Sequence, residues 1–443
     1  MPGGRAWDVL RTAVRGSSLH NLERLYYSDS FLREFDGVVT EVREVAGGDG
    51  EPMWQLALDR TAFYPTSGGQ PFDTGLLHAR LEDGMAMAVP VEQVEEDEDG
   101  AVWHFVRQPL AVGIQVAGEI DWERRRDHMQ QHTGQHLLSA VFWRELEAAT
   151  ISFHLGEGSS TIDLSGGPFT PESLERMERI ANEIIGEDRP VNAQFVSRAE
   201  AEAMLAAGEL RKLPERDGVI RLINIVGYDM NACGGTHLRS TGQIGGLLLR
   251  AVEKVSRGVR VEFLCGLRAV RAARADFAML REASGLLSVG TGELAPSVVR
   301  LLAEGKANAS ERKKLREELA ELQAEKLAAE APMESGLRLV VRGWKDRDRD
   351  YVKLLASRTV AAAPRTAVIF CAEEADPVRV FVARSSDLDF NCGQILRETL
   401  AALGLRGGGS ADMAQGEVPA AKEAALRGAV SEAISRAVGE KRD

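Results

Sequence analysis

No run of eighteen apolar residues occurs in the 443-residue chain, so no membrane-spanning helix is expected. The N-terminal stretch MPGGRAWDVLRTAVRG has no long apolar segment followed by a small-residue cleavage site, which argues against secretion. Cysteine is scarce. The four, at 233, 265, 371 and 392, have irregular spacing that suggests no disulfide framework, so a reducing cytoplasm is the expected location. Positive charge is also short. A net charge of −13 argues against a broad nonspecific nucleic-acid surface, although not against a local basic face. Two such groups exist: Arg124-Arg125-Arg126, and Lys254, Arg257, Arg260, Arg268, Arg271 and Arg274 against the single Glu262. Each alone reads more readily as a solvated face with counter-charges.

Apolar content of 44% and charged content of 27% are those of an ordinary globular protein, and the length calls for two to four domains. Residues 1–24 read as an extension, a short helix or a floppy segment. Residues 25–120 carry strand patterns, with a turn at Gly47-Gly48-Asp49-Gly50, and a small barrel or sandwich is expected. Residues 121–266 mix helices and strands without regular βαβ alternation, which favours α+β. Thr170-Pro171-Glu172-Ser173 is a helix start. Residues 267–335 read as a helical hairpin broken between Gly290 and Pro296. Its leucine stripe Leu315, Leu319 and Leu322 is more often an intramolecular core than a dimer seam. Residues 336–443 alternate strands and helices as an α/β domain. Gly407-Gly408-Gly409-Ser410 ahead of the final helix could be a phosphate cradle or simply a hinge.

Two pairs of residues carry the chemistry. His132-Thr133-Gly134-Gln135-His136 lies in an apolar-periodic helical run, where residues four apart share a face, so both imidazoles can address one atom. Cys233-Gly234-Gly235-Thr236-His237 places a thiol and an imidazole in a glycine-rich loop. Alone, each pair has a bland reading as a helix-surface pair or a turn with a bystander thiol. Together His132, His136, Cys233 and His237 are the ligand set zinc favours, provided the fold unites them. Upstream, Thr61-Ala62-Phe63-Tyr64-Pro65-Thr66-Ser67-Gly68-Gly69-Gln70 suits a tight loop whose backbone N–H groups can approach a ligand.

The stretches TAFYPTSGGQPFDTG, MQQHTGQHLLSAVF, HLGEGSSTIDL and CGGTHLRSTGQIGGLLL, in this order, resemble the long form of the freestanding alanyl-tRNA editing proteins. Those proteins are related to the editing half of alanyl-tRNA synthetase. The last domain resembles the nucleic-acid-associated domain that follows the editing module there, with GGG as its signature. The resemblance covers nearly all of the chain beyond the first twenty residues. It implies a multidomain α+β protein: a small N-terminal β-barrel, a central zinc-containing editing domain, a helical hairpin and the C-terminal α/β domain. The implied activity is hydrolysis of the ester in tRNA(Ala) mischarged with serine or glycine. With the motifs starting near residue 60 there is no room for an adenylation domain before them. The implied metal ligands are His132, His136, Cys233 and His237. The pocket candidates are Thr61, as reader of the serine hydroxyl, and Gln70 beside it, with His132, His136 and Cys233 at the reacting centre. His154 and Asp163 are weaker candidates. A homodimer through the helical segment or the last domain is open. So are two rival readings, a Cys233–His237 thiol hydrolase and a tRNA-binding factor with a structural zinc. A phosphoesterase would need more metal-binding Asp and His than the pair Asp127-His128 provides.

Overall fold

The computed structural model describes residues 22–47, 50–80, 85–214 and 218–439. The N-terminal extension up to residue 21 and the middle of the turn at Gly48-Asp49 lie outside them. The chain divides into two compact units, Met1–Leu280 and Arg281–Asp443.

The first unit opens with a closed barrel of six strands: β1 (Glu34–Ala46), β2 (Pro52–Leu58), β3 (Gly75–Arg80), β4 (Ala86–Glu96), β5 (Val102–Val106) and β6 (Gln115–Ile120). They close in the order β1-β2-β5-β4-β3-β6, which leaves no free edge. Phe35, Leu56, Leu77, Val89, Val106 and Ile120 fill the interior. The sequence patterns find the first five strands. They miss β6, whose QVAGEI lacks a dense apolar signature, although it alternates exposed and buried along its length. Gly118 in that strand lies under the Phe35 ring, and a Cβ there would overlap it.

The helix α1 (Trp122–Leu146) follows at once. The Asp121 side chain accepts from Arg124 N at its start, and Glu147 closes it in the left-handed region. Every residue from His128 to Phe142 is buried, so this is a core helix rather than an amphipathic one. A four-stranded antiparallel sheet (Thr150–Leu155, Ser160–Leu164, Gly258–Cys265, Leu247–Val255) and the helix Pro171–Gly186 pack around it. As the sequence expects, Thr170 caps that second helix. Gly134, in the middle of α1, lets the sheet approach closely: a Cβ there would overlap Cys265 Sγ. A second sheet, Val191–Val196, Ile220–Ile225 and Asp229–Ala232, ends immediately before Cys233.

Barrel and helix are fastened by a fully buried ion pair. The Arg125 Nε lies 3.0 Å from each oxygen of Asp73. Arg125 also donates to Ser30 O at 2.9 Å and Ala62 O at 2.5 Å. Asp73 in turn accepts from Tyr64 N at 2.6 Å. Ala62, Tyr64 and Asp73 belong to the Thr61–Gln70 loop and the segment that follows it, and Ser30 to the segment before the first barrel strand. The arginine triplet is therefore not a nucleic-acid face at its centre.

The second unit has one six-stranded sheet, in the order 333–334, 337–344, 366–372, 378–384, 413–418, 407–409. Only the pairing of 337–344 with 366–372 is parallel. In the strand Thr366–Ala372, Ala367, Ile369 and Cys371 face a core with Leu396, Leu426 and Val430, while Val368 and Phe370 face the other core.

Two expectations change in this unit, which contains the long helix Leu294–Glu330. The C-terminal half of that helix lies along the helix Arg349–Ala362, burying Ala320 and Ala324 with Val352 and Leu355. The leucine stripe is the exposed side of that helix, with Leu315 56%, Leu319 40% and Leu322 67% accessible. In this half of the helix the buried positions are alanines, Ala320, Ala324 and Ala328, rather than the three leucines. Finally, Gly407–Gly409 is not a loop leading into the last helix. It is an edge strand, and Met413–Val418 is a further strand before the last helix begins at Ala420.

Arg125→Met should destabilise the protein by about 3–5 kcal/mol, because it leaves the Asp73 charge buried alone. The double change Arg125→Met with Asp73→Leu should recover part of that loss. Denaturant midpoints of the three proteins check it.

Candidate metal centre

The convergence follows from local structure. One helical turn of α1 stacks His132 on His136, with ring centroids 5.2 Å apart. The loop that leaves the strand Asp229–Ala232 folds back onto them, so His237 lies 4.5 Å from His132 and 4.6 Å from His136, centroid to centroid. Gly235 permits this, since a Cβ there would overlap the His132 ring. The Arg221 guanidinium, itself buried, holds the loop by donating to Cys233 O at 2.8 Å, Gly235 O at 2.9 Å and Tyr27 O at 3.1 Å.

The ligand atoms of His132, His136, Cys233 and His237 all lie within 4.8 Å of one another, and no other such group of His, Cys, Asp or Glu occurs among the described residues. The Cys233 Sγ is 3.4 Å from His132 Nε2 and 3.3 Å from His237 Nε2. A tetrahedral zinc with Zn–S of about 2.3 Å and Zn–N of about 2.0–2.1 Å has S···N edges of about 3.5 Å, so these spacings fit. Burial, first of all, pushes His132 and His237 well below the ordinary imidazole range, with neighbouring imidazoles and Arg221 adding to it. It takes His136 down to about 3, helped by Arg211 and Arg221. The rings are therefore neutral, the form that binds metal. Burial pushes the Cys233 thiol up, opposed by the Gly235 N–H and Arg221.

The tautomers are set by neighbours. Gln70 Oε1 accepts from Thr236 N at 3.0 Å, so the oxygen, not the amide nitrogen, meets His132 Nδ1 at 2.8 Å. His132 must then carry its proton on Nδ1, leaving Nε2 to face the cluster. Thr133 Oγ1 contacts His237 Nδ1 at 3.2 Å while accepting from Leu238 N at 3.1 Å.

Of the residues expected in the site, five come together: His132, His136, Cys233, His237 and Gln70. Thr61 does not bond to this group. It is fully buried in the barrel, with Oγ1 2.8 Å from His104 Nε2 and accepting from Phe63 N at 3.1 Å. His104 donates from Nδ1 to Leu56 O at 3.0 Å, so Thr61 supplies the proton of its own contact. His154 is exposed on its strand. Asp163 is engaged by Arg260 at 2.7 and 2.9 Å, which holds its carboxyl below the usual range. Asp127 is bound by Arg268, with one contact at 3.2 Å, and His128 is buried beside it, so the pair forms no second metal group. Of the basic residues at 254–274, Arg260, Arg268 and Arg271 face carboxylates. Sequence reasoning missed Arg221, Thr133 and Thr236 as supports, although two of them sit inside the metal-spaced motifs.

Three family descriptions match the chain: class II (A) tRNA synthetases over residues 15–124, the second additional domain of threonyl and alanyl tRNA synthetases over 220–261, and the DHHA1 domain over 336–436. The chain is 30% identical to alanyl-tRNA editing protein AlaX-L of Pyrococcus horikoshii, covering 91% of this chain and 96% of that protein. It is 37% identical to AlaX-M of Methanosarcina mazei, covering 60% of this chain and 99% of the other. It is also 32% identical to the alanine–tRNA ligase of Pyrococcus abyssi over 90% of its own length, but spans only 42% of that ligase.

Thr61→Val should lower stability by about 1–3 kcal/mol, since it orphans His104 Nε2; urea unfolding measures this. Burial lowers His104 to about 4, below the free value of about 6.5. The unfolded chain therefore takes up a proton first, and His104 contributes a loss of stability of about 3 kcal/mol as pH drops from about 6.5 to about 4 and none above that window. His104→Gln should remove that share of the slope and leave the shares of the other buried imidazoles, such as His128 and His136.

Proposed function

The chain belongs to the family of alanyl-tRNA editing proteins, and on that premise we propose that it hydrolyses the ester of tRNA(Ala) mischarged with serine or glycine, in a pocket that holds zinc. The observation that carries the reading is the buried convergence of three neutral imidazoles and one thiol from two distant segments. His132, His136, Cys233 and His237 would hold the ion. Bound there, zinc supplies a fixed positive charge behind the pocket and, with four protein ligands, a closed shell. The chain's own residues do the rest. Gln70, Thr133 and Arg221 hold the ligands' geometry, and burial excludes bulk water. An aminoacyl ester is activated and needs little beyond a placed water and oxyanion donors.

Selection of serine over alanine is assigned to a hydrogen bond to the substrate hydroxyl, which rejects an analogue lacking it better than an apolar pocket could. Thr61 would serve through the one lone pair left after His104 and Phe63. The tRNA would be engaged through phosphate contacts from Lys and Arg of the second unit. The exposed Leu315, Leu319 and Leu322 side of the helix Leu294–Glu330, or the C-terminal sheet domain, would be where a homodimer forms. The absence of disulfides among the four cysteines suits a cytoplasmic location.

Deacylation of seryl-, glycyl- and alanyl-tRNA(Ala) tests the reading, with metal analysis of the same samples. Seryl- or glycyl-tRNA should be cleared and alanyl-tRNA spared, and His136→Ala should lose bound zinc and activity together. Activity that survives without metal would favour a thiol hydrolase built on Cys233. Tight tRNA binding without turnover would favour a tRNA-binding factor.

A further inference from the structure

Gln70 invites a role facing the substrate, since it ends a glycine-rich loop. Its surroundings give it another. The side chain is fully buried. Its oxygen accepts from His132 Nδ1 at 2.8 Å and from Thr236 N at 3.0 Å, and its nitrogen donates to Thr236 Oγ1 at 2.8 Å. Three of the amide's four hydrogen-bonding positions are therefore spent inside the protein.

The loop that presents it is itself fixed. Ser67 and Gln70 exchange backbone hydrogen bonds at 3.2 and 3.0 Å. Gly69, at φ +83°, lies against Phe153, where a Cβ would overlap the ring, and its carbonyl accepts from Leu155 N at 3.2 Å. Phe153 in turn packs on His132, ring centroids 5.8 Å apart.

We propose that Gln70 is a positioning residue of the metal centre, a splint from the barrel loop that holds a helix ligand and the Cys233–His237 loop at one mutual spacing and fixes His132 in the tautomer that binds through Nε2. The inference rests on the zinc reading above. It makes the barrel part of the metal site, although the barrel supplies no ligand. Without the splint, His132 can offer either nitrogen and the loop loses two of its anchors.

The test compares wild type, Gln70→Leu, Gln70→Glu and Thr236→Val. Zinc affinity is read by competition with a chromophoric chelator, the ligand field by the absorption of the cobalt-substituted protein, and turnover as separate kcat and KM on seryl-tRNA(Ala). Gln70→Leu should bind zinc about 10- to 100-fold more weakly and shift the cobalt bands. Gln70→Glu keeps an acceptor for Nδ1–H and should restore most of the affinity. Thr236→Val, which removes only one strut, should show a smaller loss, and it carries the test alone if Gln70→Leu does not fold. Unchanged affinity and spectrum in Gln70→Leu, or in Thr236→Val where that stands alone, would overturn the proposal. So would lost turnover with metal binding intact, which would mean that Gln70 meets the substrate. A wild-type protein that binds no zinc would instead sink the reading beneath it.

Discussion

Burying three imidazoles and a thiol side by side is costly unless something replaces the water they lose. No carboxylate joins His132, His136, Cys233 and His237 in their cluster. Neutral imidazoles satisfy one another poorly when each has one donor and one acceptor and the geometry points several acceptors at a common centre. A divalent cation resolves this at a stroke. The rest of the first unit can be understood as what it takes to hold those four atoms at that spacing.

Three supports do so, each from a different part of the chain. Arg125 and Asp73 clamp α1 to the barrel from within, at a depth where neither charge can be left alone. Arg221 gathers the carbonyls of Cys233 and Gly235 with its Nη1 while its Nε donates to Tyr27 O, so one guanidinium ties the loop to the segment before the barrel. Gln70 ties the two halves at the ligands themselves. The barrel is thus a frame for the chemistry. Closure gives it the stiffness that a single loop on an open sheet would lack.

The ligand pairs were legible because each depends on a local period: four residues are one helical turn in His132–His136, and a glycine-rich loop can fold Cys233 back toward His237. The barrel was legible through alternation, except at β6, where a glycine under Phe35 replaces an apolar side chain. What the sequence could not show was which groups meet across long separations. Thr61 reads as a pocket residue from its loop, but nothing in that loop shows that its hydroxyl also satisfies His104, a residue 43 positions away. The leucines of 315–322 read as core because leucine usually is. The fold buries the alanines instead, against the neighbouring helix, and that contact is a tertiary fact. Three glycines in a row looked like a loop, but an edge strand beside the start of the helix Cys392–Ala402 also needs them: a Cβ on Gly409 would overlap the Met413 carbonyl.

The most direct measurement is zinc-edge X-ray absorption on the purified protein. The account predicts one zinc per chain with one sulfur at about 2.3 Å and three nitrogens at about 2.0–2.1 Å. Protein isolated without stoichiometric metal, or a zinc shell of oxygen with no sulfur, would contradict it.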